Sequence, residues 1–221
     1  MIELGHISHP GKKRILNEDS YHVDTTHCYA VLVDGMGGVN AGDIASAFVR
    51  EQLRINLLQG ENAETALINA GQALRIQRPQ QGQTPSGASA AVLTWKNQDF
   101  QLAWVGACRA YFFNGNQTEL LCEISPTKTP NQPTTSTASI QALGVTSAEK
   151  LQVHKLSGKW LPPQAILLCT DGIIEECELA IIHGLMSNSK ISAQESVEQL
   201  LFHVLQGPAN NNATALLLRQ C

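Results

Sequence analysis

The sequence has few aromatic residues, no long apolar run and no excess of charge of one sign. Aromatic residues are 5% of the 221 residues, so a stacking platform for nucleic-acid bases is not indicated. The net charge is −4 and the Lys and Arg residues are scattered, which argues against a nucleic acid or an acidic membrane as partner. No apolar run approaches the ~18 residues that span a bilayer. We therefore expect neither a nucleic-acid nor a membrane partner.

Paired cysteine motifs and a secretion signal are also missing. The six cysteines form no CxxC pair and no Cys/His spacing typical of a zinc site. The first twenty residues, MIELGHISHPGKKRILNEDS, lack the apolar centre of a secretory signal. Cys28, Cys122 and Cys169 lie in apolar, strand-like runs and are interpreted as small core residues. We expect reduced thiols and a cytoplasmic protein.

What is present is a globular composition, with 43% hydrophobic and 15% charged residues. The length suits one domain with a substantial core, and neither an internal repeat nor a linker is visible. We therefore predict that residues 1–221 form a single domain.

Hydrophobic periodicity predicts helices over residues 41–58, 61–76 and 193–205. Strand-like runs precede, separate and follow these helices. The predicted strands are 21–24, 27–34, 88–95, 100–105, 109–113, 119–123, 151–156, 165–170 and 213–218. This order is typical of an α+β fold with two mostly antiparallel sheets and helices outside them. Segment 125–139 is rich in Ser, Thr, Pro and Asn and is predicted to be mobile.

The stretch AVLVDGMGGVNAG, residues 30–42, reads as a buried strand that ends in Asp34 and is followed by a glycine-rich loop. A carboxylate in this position is a common way to present an oxygen ligand to a hard cation or a phosphate. The alternative is an Asp that caps a helix at a strand-to-helix turn. This stretch by itself leaves both interpretations open.

Asp171 repeats the pattern, because it follows the apolar run AILLCT and precedes Gly172. Two strands from facing sheets would bring Asp34 and Asp171 to one mouth, where their repulsion calls for a cation. Oxygen ligands favour Mg²⁺ or Mn²⁺ over zinc. Two such ions ~3.5–4 Å apart can activate a water and hold a phosphoryl group.

A polar turn near the N-terminus adds Glu18 and Asp19, and Arg14 beside them can hold phosphate through its planar guanidinium. Each feature has an ordinary structural interpretation when taken alone. Asp-Gly is a common turn, Arg14 can be a surface cation, and Glu18 and Asp19 can belong to an exposed loop. The combination is what favours a phosphate chemistry.

Taken together, these residues resemble the metal-dependent protein phosphatases (the PPM or type-2C family) in their small bacterial single-domain form. The matching motifs occur in the family's order over nearly the whole chain. They are RILNEDS (14–20), VDGMGG (33–38), SGASA (86–90), VGACRAY (105–111), ALG (142–144), LLCTDG (167–172) and NNAT (211–214).

The resemblance implies an αββα four-layer sandwich with two central, mostly antiparallel sheets flanked by helices. It implies hydrolysis of phosphoserine or phosphothreonine by a metal-activated water, with two Mn²⁺ or Mg²⁺ ions as cofactors. The implied partner is a phosphorylated protein, the substrate of an opposing Ser/Thr kinase. The implied catalytic residues are Arg14, Glu18 and Asp19, and the implied metal ligands are Asp34, the Gly35 carbonyl, Asp171 and Asn211.

Two residues depart from the family pattern. Ala107 stands where the family has a metal-binding Asp, so a third ion is not expected. Asn211 stands where the last ligand is an Asp, and an amide oxygen can bind a hard cation but supplies no charge. Segment 125–139 is also short for the family's flap. The sequence therefore leaves two hypotheses, a phosphatase with a weakened metal site and a weak or inactive pseudophosphatase that binds proteins.

Overall fold

The computed structural model describes residues 1–37, 41–77, 86–122 and 141–221. These ranges contain ten strands and five helices. The strands are β1 (Ile2–His9), β2 (Asp19–Asp24), β3 (Tyr29–Met36), β4 (Gly87–Lys96), β5 (Asp99–Val105), β6 (Arg109–Phe113), β7 (Thr118–Leu120), β8 (His154–Lys159), β9 (Ala165–Cys169) and β10 (Ala213–Gln220). The helices are α1 (Gly42–Leu58), α2 (Ala63–Ile76), α3 (Asp171–Ile174), α4 (Leu179–Ser187) and α5 (Ala193–Gln206).

The strands form two five-stranded sheets, in the orders β1-β10-β9-β6-β7 and β2-β3-β4-β5-β8. All neighbouring strands among the described residues pair antiparallel. Helices α1 and α2 pack on the outer face of the second sheet, and α3 to α5 pack on the outer face of the first. The predicted four-layer αββα architecture is therefore confirmed.

The inner faces of the two sheets enclose a third apolar cluster, which includes Leu32, Ala91, Leu168 and Leu216. All four side chains are fully buried. The central strand β10 is buried at every position, and β4 at nearly every position. Strands covered on both faces need continuous apolar sequence. These two segments are therefore recognisable as strands although apolar and polar residues do not alternate in them.

The two long helices of the second sheet differ in how well periodicity predicts them. Helix α2 is capped at its N-terminus by Asn62, whose side chain accepts a hydrogen bond from the Thr65 N–H. The helix buries its predicted face. In helix α1, periodicity predicts a buried Ile44, yet this side chain is 67% exposed. The helix meets the sheet through the predicted Val49 and also through Ala45, because the small residues Gly42 and Ala45 allow its first turn to approach β3 closely.

Several boundaries also differ from the prediction. Strand β3 continues past Asp34 to Met36, because these residues pair with Gly87 to Ser89 of β4. Strand β8 lies three residues later than predicted, since this half-exposed strand lacks a clear alternation. Helices α3 and α4 were not predicted. Segment 125–139 lies outside the described residues, and the single-domain interpretation stays a prediction. Within the described ranges, no helix combines the length and the apolar character needed to cross a membrane.

Candidate metal and phosphate site

Asp19 and Asp34 form the centre of the candidate site, at one end of the second sheet. Asp19 begins β2 and lies directly opposite Asp34 of β3 in the antiparallel register. Side chains that face each other in this way have Cβ atoms only ~5 Å apart. The Gly35 N–H donates to the Glu18 carbonyl at 3.0 Å, so backbone pairing also fixes the turn that precedes Asp19. Two acids predicted from separate motifs are therefore neighbours.

Two threonine hydroxyls of the first sheet hold Asp19. Thr170 Oγ1 donates to Asp19 Oδ2 at 2.8 Å, and Thr214 Oγ1 donates to the same oxygen at 2.7 Å. Asp19 Oδ1 is buried and has no hydrogen-bond partner among the described residues. The side chain thus crosses the gap between the two sheets and keeps one oxygen available.

Glu18 and Asp171 approach the Asp19–Asp34 pair from the two sides. The Glu18 carboxylate lies against Gly42, where a side chain on the glycine would overlap it. Asp171 is the first residue of α3 and follows the end of β9. Both acids are close enough to raise the pKa of Asp34 by repulsion. The structure therefore brings four predicted acids to one opening between the two sheets. We call this opening, lined by Glu18, Asp19, Asp34 and Asp171, the mouth.

Burial and mutual repulsion make these carboxylates hard to ionise. Burial, followed by the charges of Asp19, Asp171 and Glu18, raises the pKa of Asp34 to about 8. Burial raises the pKa of Asp19 to about 6, although the hydrogen bonds from the two threonines oppose this shift. The pKa of Asp171 is raised by burial and by the nearby charge of Glu175. A cation at the mouth would remove the cost of ionising these acids.

Arg14 lies at the rim of this mouth, in the exposed loop between β1 and β2. Its charge lowers the pKa values of Asp34 and Asp171. Its Nη2 group donates to Asn211 Oδ1 at 3.0 Å. Asn211 Nδ2 donates in turn to both carboxylate oxygens of Glu175, at 3.0 and 2.8 Å. Arg14, Asn211 and Glu175 are thus joined in one chain of hydrogen bonds.

The loop that carries Arg14 is fixed by Asn212. The Asn212 side chain donates to the carbonyls of Pro10 and Leu16, at 3.0 and 2.9 Å. Its Oδ1 accepts a hydrogen bond from the Glu18 N–H at 2.9 Å. One buried amide therefore ties both ends of the loop to the start of β10.

Ala107 lies between β5 and β6 and takes part in the site only through its backbone. Its N–H donates to Ser89 Oγ at 3.0 Å, and its carbonyl accepts a hydrogen bond from Arg109 Nη1 at 2.7 Å. A methyl side chain cannot bind an ion, so position 107 adds no ligand.

The donor set fits a hard divalent cation. Among the residues that the structure describes, no three acidic, His or Cys side chains are close enough to enclose an ion by themselves. The available donors are nevertheless carboxylate and carbonyl oxygens, which Mg²⁺ and Mn²⁺ prefer. The unpartnered oxygen of Asp19 and the raised pKa of Asp34 are both features that a bound cation would relieve.

Four residues of this arrangement were missed by sequence reasoning. Thr170, Asn212 and Thr214 were noted only as motif positions, directly before Asp171 and within NNAT, so their proximity to two predicted site residues was the available signal. Glu175 had no signal, because its role depends on the position of Asn211.

The model of the protein phosphatase 2C family matches residues 5–134, more than half of the chain. A search against curated proteins found no match. Among solved structures, PppA of Pseudomonas aeruginosa, described as a key regulatory component of its T6SS, shares 24% identity and has a TM-score of 0.83, covering 99% of this chain and 97% of that one. The serine/threonine phosphatase of S. agalactiae shares 16% identity and has a TM-score of 0.83, with both chains fully covered.

A third structure is the catalytic domain of the serine/threonine protein phosphatase PstP in complex with two manganese ions. It shares 18% identity and has a TM-score of 0.82, covering 99% of this chain and 97% of that one. At these identities the three structures show a common fold.

Proposed function

Because the chain belongs to the protein phosphatase 2C family, we propose that it is a metal-dependent hydrolase that removes phosphate from phosphoserine and phosphothreonine in proteins. The observation that supports this best is the meeting of four buried or half-buried carboxylates at one mouth, beside Arg14. Burial, followed by the charges of Asp19, Asp171 and Glu18, raises the pKa of Asp34 to about 8, and a bound cation would favour the ionised carboxylate.

Asp34, the Gly35 carbonyl and Asp171 are the proposed metal ligands. Bound Mn²⁺ or Mg²⁺ would lower the pKa of a water and neutralise charge on the phosphoryl group. We propose two ions and not three, because position 107, where the family has a metal-binding Asp, is an alanine here. Asn211, the fourth predicted ligand, adds no charge, and its Oδ1 already accepts a hydrogen bond from Arg14.

Asp19, Glu18 and Arg14 act on the reactants. Asp19 is held by two threonines, and its Oδ1 has no partner among the described residues. This oxygen can orient a water by accepting a hydrogen bond from it. Glu18, whose charge raises the pKa of Asp34, is the proposed second acid beside this water. Arg14 can donate to phosphate oxygens through its planar guanidinium. The expected substrates are cytoplasmic phosphoproteins, which implies an opposing Ser/Thr kinase.

A second candidate function is phosphoprotein binding without turnover. It is favoured by Ala107 and Asn211, which together remove two carboxylates from the family's pattern. A pseudophosphatase of this kind would keep the fold and Arg14 while losing hydrolysis.

The deciding experiment is hydrolysis of a phosphothreonine peptide across a Mn²⁺ titration, with Asp34→Asn as the control variant. Turnover by the wild type and none by Asp34→Asn would support the enzyme. No turnover by the wild type at any Mn²⁺ concentration would refute it and favour the binding module, which should still retain the phosphopeptide.

A further inference from the structure

The side chain of Asn211 uses both ends of its amide to join two oppositely charged residues. Its Oδ1 accepts from Arg14 Nη2 at 3.0 Å, and its Nδ2 donates to Glu175 Oε1 and Oε2 at 3.0 and 2.8 Å. The partners come from distant parts of the chain. Arg14 belongs to the β1–β2 loop, and Glu175 immediately follows α3. The amide therefore connects the phosphate-facing loop to the helix that begins at Asp171.

The chemistry of the two partners determines how this amide must be oriented. A guanidinium can only donate hydrogen bonds and a carboxylate can only accept them. The oxygen of Asn211 must therefore face Arg14, and its NH₂ group must face Glu175. An Asp at this position could accept from Arg14 but could not donate to Glu175. The neutral residue is required by the bridge, although it weakens a metal site.

We propose that Asn211 and Glu175 are positioning residues that hold the Arg14 guanidinium for the phosphoryl group, and that Asn211 is not a metal ligand. This rests on the proposed function in one respect, the binding of phosphate by Arg14. Among the described residues, the bridge takes up one N–H of Arg14, and the remaining N–H groups can donate to a phosphate. It therefore lowers the entropy that this exposed side chain must lose on binding.

The bridge also connects the two halves of the site. Glu175 lies one helical turn after Asp171, and its N–H donates to the Asp171 carbonyl at 2.9 Å. Residues four apart lie on the same side of a helix. Because α3 begins at the proposed metal ligand Asp171 and is followed directly by Glu175, an anchor of the bridge, it couples the position of Asp171 to that of Arg14.

The test is a mutant cycle that measures phosphate binding and metal binding separately on the full chain. Inorganic phosphate is titrated into the Mn²⁺-loaded protein by calorimetry, and Mn²⁺ affinity is measured by the loss of the free-ion EPR signal. The variants are Arg14→Ala, Asn211→Ala, Glu175→Ala and the double variant Arg14→Ala/Asn211→Ala. Circular dichroism and the melting temperature establish that each variant is folded.

We expect Arg14→Ala to weaken phosphate binding about tenfold, as for the loss of a charged hydrogen bond, and Asn211→Ala and Glu175→Ala to weaken it about threefold. In the double variant, Asn211→Ala should cause no further loss, because its effect passes through Arg14. Mn²⁺ affinity should stay within about twofold of wild type in Asn211→Ala and Glu175→Ala. Glu175→Gln keeps an acceptor for the amide and should retain most of the phosphate affinity.

The Mn²⁺ dissociation constant decides whether Asn211 is a ligand. A rise of about tenfold or more when Asn211→Ala is introduced, either into the wild type or into Arg14→Ala, would show that it is one and overturn the proposal. Additive losses of phosphate affinity would also overturn it, as would wild-type protein that binds no phosphate. The proposed enzyme is judged separately by peptide turnover. Coupled losses of phosphate binding without peptide turnover would refute the enzyme and support the bridge. Peptide turnover with additive losses of phosphate binding would support the enzyme and overturn the bridge.

Discussion

Asp19 and Asp34 lie directly opposite each other on β2 and β3, yet only Asp19 is held by hydroxyl groups from the facing sheet. In the described part of the chain, the Asp34 carboxylate has no hydrogen-bond donor. The difference is visible in their pKa values, which are raised to about 6 for Asp19 and about 8 for Asp34. Asp34 is therefore the acid that gains most from a nearby cation.

The stability of the metal-free protein should fall as the pH rises. Between the ordinary pKa of 3.8 and the raised value of about 8, the folded protein keeps a proton on Asp34 that the unfolded chain has lost. The free energy of unfolding therefore decreases across this range and levels off above it. We expect the melting temperature in EDTA to fall by about 5 °C or more from pH 5 to pH 8.5. Asp34→Asn should remove most of this slope, and a flat wild-type profile would contradict the prediction.

Mn²⁺ should stabilise the folded protein against heat. A ligand that binds only the folded state adds about 2.7 kcal/mol at a hundred times its dissociation constant, which corresponds to about 5–10 °C for a chain of this size. Differential scanning calorimetry with and without Mn²⁺ measures the shift. Asp34→Asn should abolish it. Asp99→Asn is the matched control, since Asp99 is an exposed acid paired with Lys159 and should leave the shift unchanged.

The hydroxyl groups that hold Asp19 should contribute to both stability and activity. Thr214→Val removes a hydrogen bond to Asp19 Oδ2, and we expect a loss of about 1–3 kcal/mol in the free energy of unfolding. The pKa of Asp19 should rise further, because this bond lowers it. The pH profile of peptide hydrolysis should therefore shift upward.

Ser8→Ala is the control for Thr214→Val. It removes the contact between Ser8 Oγ and Thr214 Oγ1 (2.7 Å) and the hydrogen bond that Ser8 Oγ accepts from Asn17 Nδ2 (2.8 Å), and neither of these involves the Asp19 carboxylate. Urea unfolding and a pH–rate profile compare the two variants. Equal shifts of the pH profile in both would show that Thr214 does not act through Asp19.

Gly35→Ala should damage the site through the backbone. A Cβ atom at Gly35 would overlap the Gly42 carbonyl and lie 2.8 Å from the Glu18 carbonyl. Backbone atoms cannot move aside as a flexible side chain can, so we expect a loss of about 1–3 kcal/mol in stability and weaker Mn²⁺ binding. Gly60→Ala distinguishes this overlap from a general cost of replacing glycine, since a Cβ there meets no atom within 4 Å although its φ is positive. If Gly35→Ala retains wild-type Mn²⁺ affinity, the proposal that the Gly35 carbonyl is a metal ligand is wrong.

Restoring the family's carboxylate at position 211 should not by itself improve the protein. Asn211→Asp would place a carboxylate within 2.8–3.0 Å of the Glu175 oxygens, and we expect a loss of about 0.5–1 kcal/mol in stability. In Asn211→Asp/Glu175→Gln, the new amide at position 175 can donate to the introduced carboxylate, so the melting temperature should recover. A stabilising effect of the single variant would argue against the bridge.

The order of motifs was sufficient to predict the family and the four layers, and it named four acids that the structure places close together, whose roles stay a prediction. Continuous apolar runs marked the strands β4 and β10, and the apolar runs of β3 and β9 were each followed by an Asp-Gly pair. Helices α3 and α4 were missed because they are short and begin without a side-chain cap. The face of α1 was assigned wrongly at Ile44, because periodicity describes apolar residues and not how closely a small one can approach a sheet.

Residue type settles the kind of chemistry available, since it decides which atoms are oxygen ligands and which positions carry charge. Ala107 and Asn211 were visible in the sequence as two lost carboxylates. The surroundings of the remaining groups depend on how the two sheets pack. The pKa values depend on burial and on neighbours from the other sheet, and the Arg14–Asn211–Glu175 bridge joins residues 197 and 36 positions apart. Such contacts form only when the sheets pack, so local sequence patterns do not contain them.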